Sequence, residues 1–344
     1  MPVIGLDLGN HTFRAVEMEE QKGRTYLKKY GEYRNNSLNL YSSSQSELDE
    51  YSAELKKFFA EKNFSTPRCV IDLPENDVFT RVVEMPSMDE KDLRNSITYE
   101  AEQYIPIPLD QVSFDFQILD ESFDDKNKMN VLIVAAKNAI VNKYVGVLEK
   151  AGLVPVAFEP ESLAMSRILG ESINKPTATI LLHIGSTASQ IVISYKGYIR
   201  FTRSVAIGGE DLTKSVEDKL GFDHNQAIEY KSTYGLDVKE GEGKVAEALK
   251  PVFDKILEEV KKSQVFYTTH HPNVSINRII IAGGTALMPG LLFYVANNLD
   301  LEVELANPWK NIEFVKNLKN EKEAIMDIGP HFVTPVGLAL KGLE

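Results

Sequence analysis

Three short runs carry residue types that can handle phosphate. The first, Gly5-Leu6-Asp7-Leu8-Gly9-Asn10-His11-Thr12, joins two stretches of alternating apolar and polar residues through a tight turn. Successive backbone N–H groups in such a turn point outward and can cradle phosphate oxygens. Asp7, at the end of the first stretch, is placed to hold a hydrated Mg²⁺, an ion that keeps several of its waters. A plain hairpin whose Asp caps its own turn would give the same run. The second, Gly185-Ser186-Thr187-Ala188, matches it: laying the chain over itself sets Asp7 on His183, Gly9 on Gly185 and Thr12 on Ala188. A second independent occurrence favours phosphate over a plain turn, although His183 stands where a carboxylate would serve a metal. In the third run, Ile279-Ile280-Ile281-Ala282-Gly283-Gly284-Thr285, an apolar strand enters a glycine pair. Without a Cβ there, the backbone can approach a flat ligand such as adenine. A βα turn that is merely tight explains one glycine more readily than the whole run.

The elements that would position these runs follow from periodicity. Val3–Leu8 and Thr12–Met18 read as a hairpin about Gly9-Asn10-His11, with a third strand near Thr25–Tyr30 and a helix over about Ser46–Glu61. Strands at Arg68–Leu73 and Val78–Met85 precede a helical period over Met88–Tyr104, which Ile105-Pro106-Ile107-Pro108 ends. Val112–Leu119 and Met129–Ala135 pair across the acidic turn Asp120–Asp125, and a helix near Ala139–Ala151 and a strand near Pro155–Phe158 follow. The order then restarts: strands at Thr179–Ile184, Ser189–Tyr195 and Tyr198–Ala206, helices near Glu210–Leu220, Asn225–Tyr234 and Val245–Thr268, a strand at Arg278–Ala282, and helices near Leu291–Asn298 and His331–Lys341. Strand, strand, strand, helix stated twice, with a glycine turn in each half, predicts duplicated α/β domains around a nucleotide cleft.

Composition bounds the function. The 344 residues suffice for two domains, and 38 Lys and Arg against 50 Asp and Glu give a net charge of −12. That balance excludes a surface built for the phosphate backbone of nucleic acid, which needs a positive stripe. Cys69 is the only cysteine, so there is neither a disulfide framework nor a Cys-based zinc site, and a reducing compartment is expected. Pro176–Tyr195 and Ile279–Leu299 lack formal charge but are broken by hydroxyls, Gly283-Gly284 and Pro289, so neither is expected to span a membrane. The start, Met1-Pro2-Val3-Ile4-Gly5, has no basic n-region and is not expected to be a signal peptide. His270-His271, Lys261-Lys262 and Asp124-Asp125 read as solvated surface, and no Gly-x-Ser-x-Gly run supports acyl chemistry.

Taken together, the three runs resemble the superfamily of actin, the heat-shock chaperones and the sugar kinases, with two phosphate loops and an adenosine motif. Phe158-Glu159-Pro160-Glu161-Ser162-Leu163-Ala164 and Val333-Thr334-Pro335-Val336-Gly337-Leu338-Ala339 look like its two connecting helices. Arg81-Val82-Val83-Glu84-Met85-Pro86, the run Ile97-Thr98-Tyr99-Glu100-Ala101-Glu102-Gln103-Tyr104-Ile105-Pro106-Ile107-Pro108 and Phe114-Asp115-Phe116 resemble PilM, the actin-like family of type IV pilus assembly. The likeness covers nearly the whole chain. It implies actin-like (ribonuclease H-like) domains over 1–158 and 159–344, with a small α+β subdomain inserted at about 76–150 and a C-terminal helix returning to the first domain. It further implies a cytosolic protein, peripheral to the inner membrane through its partner, that binds ATP and Mg²⁺ in the cleft. The implied partner is the cytoplasmic N-terminal tail of PilN, a single-span membrane protein, beside the inserted subdomain; the pilus motor ATPases and self-association are further implications.

Carried onto this sequence, the phosphate loops are Asp7, Gly9, Asn10, His11 and Thr12, and Gly185, Ser186, Thr187 and Ala188. Gly283, Gly284 and Thr285 form the adenosine motif, and Gly208, Gly209, Glu210 and Lys231 match the Gly-Gly segment and the Lys near the nucleoside. Asp7 would hold Mg²⁺ through water. Met85, Pro86, Leu93, Ile97 and Tyr104 fit a core-facing stripe first and a partner groove second. Two positions depart from the family: His183 replaces an Asp, and Ala227-Ile228 lacks the acid that follows Ala, with Glu229 one place away. Both weaken hydrolysis more than binding, so slow turnover at most is expected.

Three readings compete. The first is a nucleotide-binding scaffold of the pilus platform or the allied type II secretion platform. The second is an FtsA-like division protein; Leu340-Lys341-Gly342-Leu343-Glu344 follows soon after the connecting helix, so that family's membrane anchor is not expected. The third is a small-molecule kinase, for which no general base is evident.

Overall fold

In the computed structural model, residues 1–10, 12–35, 39–121, 127–168 and 177–344 are described. The chain opens with β1 (Val3–Leu8), β2 (Thr12–Gln21), β3 (Arg24–Arg34), α1 (Gln45–Lys62) and β4 (Arg68–Leu73). The small insertion then runs β5 (Val78–Pro86), α2 (Glu90–Tyr104), β6 (Val112–Glu121) and β7 (Lys128–Lys137). The first half closes with α3 (Asn138–Ala151), β8 (Val154–Pro160) and α4 (Glu161–Ile168). The second half repeats the plan with β9 (Thr177–Ile184), β10 (Ser189–Tyr195), β11 (Tyr198–Val205), α5 (Gly209–Leu220), α6 (His224–Tyr234), α7 (Lys244–His270) and β12 (Ser275–Ala282). It ends with α8 (Leu291–Leu299), β13 (Glu302–Leu305), β14 (Ile312–Phe314), α9 (Lys322–Asp327) and α10 (Val333–Lys341).

Among the described residues the strands form a six-stranded sheet β14-β3-β2-β1-β4-β8, a five-stranded sheet β11-β10-β9-β12-β13 and a three-stranded sheet β5-β7-β6. The predicted hairpins are present: Leu8 pairs with Phe13 and Ile184 with Ser189, each about a glycine turn. The two uncharged stretches become a hairpin and a strand–turn–helix, and no helix among the described residues is long and apolar enough to cross a membrane. Element bounds differ from the periodic reading by a few residues at most ends, where fraying and capping rather than periodicity decide. In α2, Asp89 accepts a hydrogen bond from the Asp92 N–H (2.8 Å), so the helix starts one residue after it.

Each sheet has its own core. Ile4, Leu6, Phe13 and Ile71 pack beneath α1 and α3 through Tyr51, Phe58, Tyr144 and Leu148. α3 thus shares the core of the six-stranded sheet, and the three-stranded sheet ends at Lys137. The second half buries Ile180, Leu182, Ile191 and Ile281 against Phe253, Ile256 and Val260 of α7. The short elements β13, β14 and α9 have no sequence signature. β14 leaves the second half and pairs in parallel with β3, so more than the terminal helix returns to the first sheet. Trp309, Phe314, Ile325 and Phe332 seal that return, with the Trp309 indole N–H donating to the Ile325 carbonyl (2.9 Å).

Candidate functional site

The two glycine turns face one another across the cleft between the large sheets. In the first, Gly9 N–H donates to the Thr12 carbonyl (3.0 Å); in the second, Gly185 N–H donates to the Ala188 carbonyl (2.9 Å). The first turn is braced from below, where the Tyr51 hydroxyl donates to the Gly9 carbonyl (2.8 Å) and Asn10 Oδ1 accepts from the Leu40 N–H (3.0 Å). The second is tied to the start of α5: Gly209 N–H donates to the Gly185 carbonyl and Glu210 N–H to the Ser186 carbonyl, both at 2.8 Å. Lys231 Nζ reaches over from α6 to donate to the Gly209 carbonyl (2.8 Å) and to Thr213 Oγ1 (2.6 Å). Burial lowers that ammonium to about 8.

Asp7, Gly9, Asn10, Thr12, Gly185, Ser186, Thr187, Ala188, Gly209, Glu210, Lys231, Gly284 and Thr285 all line the cleft. His11 lies outside the described residues, as do Asp124 and Asp125. Gly208 and Gly283 do not line it; they let backbones pass. A Cβ on Gly283, whose φ is +95°, would stand 2.4 Å from the Ile184 carbonyl oxygen. Gly284 is different: only Arg14 Nη2, at 3.6 Å, comes near a Cβ built on it, so that position faces open space.

The charge of the cleft is carried largely by residues outside these runs. Arg14 stands across from Asp7 in the β1–β2 register, pairing with it at 3.7 Å and with Glu32 at 2.6 Å. Burial lifts the Asp7 carboxyl to about 6, against the pull of Arg14 and with the push of Glu32. Asp72 accepts from the Leu8 N–H (3.1 Å), and Glu161 lines the cleft at the start of α4; burial, then repulsion from Asp7 on Asp72 and from Asp72 and Asp7 on Glu161, holds both well above the usual carboxyl value. Burial, then Arg14 and His331, lower His183 to about 4, so it is neutral at pH 7, and its Nδ1 has no hydrogen-bond partner among the described residues.

The chain matches known proteins over nearly its whole length. A family described as type IV pilus assembly protein PilM matches residues 5–343. The chain belongs to the PilM family. Among solved structures it is similar to the PilM-PilN type IV pilus biogenesis complex, at 24% identity, with 99% of this chain and 98% of that chain covered and a TM-score of 0.83. Ethanolamine utilization protein EutJ from Carboxydothermus hydrogenoformans is 17% identical over 99% of this chain and 89% of its own, with a TM-score of 0.57. MreB 5 of Spiroplasma citri bound to AMPPNP is 14% identical over 95% and 98%, with a TM-score of 0.52. The fold is therefore that of the actin-like ATPases.

In this PilM-family chain, sequence reasoning passed over Arg14, Glu32, Asp72, Glu161 and His331. Two left signals: Arg14 falls opposite Asp7 once the hairpin register is written out, and Asp72 is a lone charge within the apolar run Cys69-Val70-Ile71-Asp72-Leu73. Of the face proposed for a partner, Met85, Leu93 and Ile97 lie inside the inserted subdomain's core. Pro86 is exposed and Tyr104 is half-buried, with the Arg81 guanidinium 5.3 Å above its ring. Glu229 is exposed and does not line the cleft.

The raised pKa of Asp7 makes the stability of the fold pH-dependent. The folded carboxyl titrates near 6 and the unfolded one near 3.8, so its contribution to stability is present below 3.8 and is lost as pH rises through 6. Above that, the folded chain carries a buried carboxylate at a cost. Asp7→Asn keeps an acceptor for Arg14 and removes the charge. It is expected to raise stability by about 1–2 kcal/mol at pH 8 and by almost nothing at pH 4, read from urea midpoints at the two pH values. An equal gain at both would show that the charge is not the cause.

Proposed function

We propose that the chain is a nucleotide-binding scaffold of the type IV pilus assembly platform, taking ATP in the cleft and the cytoplasmic N-terminal tail of a PilN-like membrane protein beside the inserted sheet. The observation that carries the reading is the family match over residues 5–343; the shared fold of the PilM-PilN complex supports the kind of partner. The location that follows is cytosolic, held at the inner membrane through that partner.

The cleft residues fit a triphosphate. The amides of the two turns not used within them would supply donors from opposite sides, and Arg14, already turned toward Asp7 in the cleft, is a cation that can move onto phosphate oxygens. Gly284 leaves a flat face free for the base. Among the described residues, no three His, Cys, Asp or Glu side chains stand close enough to hold a metal by themselves. Mg²⁺ would therefore be held by phosphate and water, with Asp7 in its outer shell, and would neutralise charge between the phosphates and the carboxylates. Neutral His183, in place of a carboxylate, removes from that side of the cleft an anionic group that could polarise an attacking water, which favours binding over turnover.

The test is calorimetric titration with the N-terminal cytoplasmic peptide of the candidate PilN-like partner, with and without Mg-ATP. Saturable binding at micromolar strength or better is expected, and tighter binding with Mg-ATP if the cleft and the subdomain are coupled. Equal affinity in both conditions would remove the coupling, because a ligand must prefer one state in order to shift it. No binding in either condition would sink the pilus-scaffold reading.

A further inference from the structure

We propose that the outer edge of β3 from Lys28 to Glu32 docks an extended acidic segment of a partner protein, which joins the six-stranded sheet as a further strand. The inference does not depend on nucleotide binding. β14 covers β3 only at Thr25, Tyr26 and Leu27, after which Val315 N–H donates to the Leu27 carbonyl (3.3 Å) and the chain turns away into Lys316–Glu321. β3 continues to Arg34 with β2 on its inner side. Among the described residues no strand lies beyond Lys28–Glu32, so alternate residues there present N–H and C=O groups outward.

The place a continuing strand would occupy is a hollow. A cavity of about 410 Å³ runs along this stretch, floored by Leu318, Ile328 and Phe332 of the returning C-terminal segment and flanked by Lys62 at the end of α1. Its charges are unevenly matched. Lys28 pairs with Glu17 (3.6 Å) and Glu19 (3.1 Å), Glu32 with Arg14 (2.6 Å), and Glu321 accepts from the Tyr30 hydroxyl (3.2 Å). Among the described residues Lys29 and Lys62 make no ion pair within 4.0 Å and neither does Glu321, which leaves the hollow one positive charge in excess, and the stem of Lys62 lies across Gly31, its Cε 3.0 Å from where a Cβ would be. On a chain of net charge −12, the ammonium groups of Lys29 and Lys62, only one of them offset by Glu321, beside an apolar floor favour a segment that alternates acidic and apolar side chains.

Lysines and a register shift, present here between Glu17 and Met18, also protect exposed strand edges from aggregation. Protection accounts for the lysines but not for an apolar-floored hollow next to them. The site lies at the opposite end of the sheet from β4 and β8, which flank the insertion in sequence, and so is separate from the groove proposed for the PilN-like tail. Glu32 and His331 line both the hollow and the cleft, which gives a docked strand a shared wall with the nucleotide site.

The test uses the full chain and a fluorescein-labelled heptapeptide of alternating valine and glutamate, with the valine–lysine peptide as its opposite. Saturable polarisation at sub-millimolar concentration is expected for the acidic peptide. Affinity should be at least ~10-fold weaker for the basic peptide and for the Lys29→Glu/Lys62→Glu double variant, and hydrogen exchange of the Lys28–Glu32 amides should slow on binding. Exchange on the parent chain needs no variant and stands if the double variant is unstable. No binding, equal binding of both peptides, or protection confined to another segment would overturn the proposal. Concentration-dependent dimerisation that protects the same amides without peptide would overturn it in favour of a second copy of this chain. ATP binding by the double variant is expected to match the parent, so failure here and failure of the nucleotide reading are distinguishable.

Discussion

Gly337→Ala is expected to cost more than ~4 kcal/mol and to leave little folded protein at moderate urea. A Cβ at this position would stand 1.9 Å from the Ala164 carbonyl oxygen and 2.5 Å from its carbon. The obstruction is backbone on backbone, so no rotamer change can relieve it, and overpacking of this kind exceeds the usual 1–3 kcal/mol range. α4 and α10 cross here, and Arg167 locks the crossing by donating to both Glu159 oxygens and to the Gly337 carbonyl, each at 2.9 Å. On the other side of α10, Gly5 of β1 is equally close, its Cβ position 1.8 Å from the Pro335 carbonyl oxygen. The helix is therefore wedged between the first sheet and the segment that leaves it. Chemical unfolding measures the effect, and a Gly337→Ala midpoint within ~0.5 kcal/mol of the parent would show that the helices can separate freely.

The second large effect is on ligand affinity. Gly284→Phe is expected to weaken ATP binding at least ~100-fold, equivalent to ~3 kcal/mol, with little change in the stability of the nucleotide-free chain. Gly284 is exposed in the cleft and outside the left-handed region, and Arg14 Nη2 at 3.6 Å is the nearest group to its Cβ position. A side chain there is compatible with the fold and projects into the space assigned to the base. Gly284→Ala, which adds a single methyl, is expected to lose less than ~5-fold by the same steric argument. Fluorescent nucleotide titration of both variants tests this, and a Phe variant that binds as the parent does would remove the base from this position.

Much of the architecture was legible because it is written locally. Strand alternation on both sides of Gly9 and of Gly185, the run of isoleucines before Gly283, and the proline pair that stops α2 are short-range signals. Their repetition in the two halves implied a cleft with a turn on each wall, and the turns do face one another. The resemblance of residues 81–108 to one family narrowed the fold class further, and the family match bears that out. Short elements without periodicity escaped: β14 has three residues, and its pairing with β3 is fixed by the burial of Trp309 and Phe332 far along the chain.

The sequence by itself therefore determined the order of the longer elements, the duplicated plan, the glycine turns and the family. Tertiary structure alone decided which charges meet. Asp7, Asp72 and Glu161 come from three separate segments, and their carboxyls are raised only because burial removes the water that would separate them. It also decided that α10 touches α4 through bare backbone and that β3 outruns its neighbour to leave an open edge. The division has one physical cause. Backbone hydrogen bonding and side-chain period act over a few residues and can be read in order along the chain. Desolvation and close packing act between residues that share only a place in space.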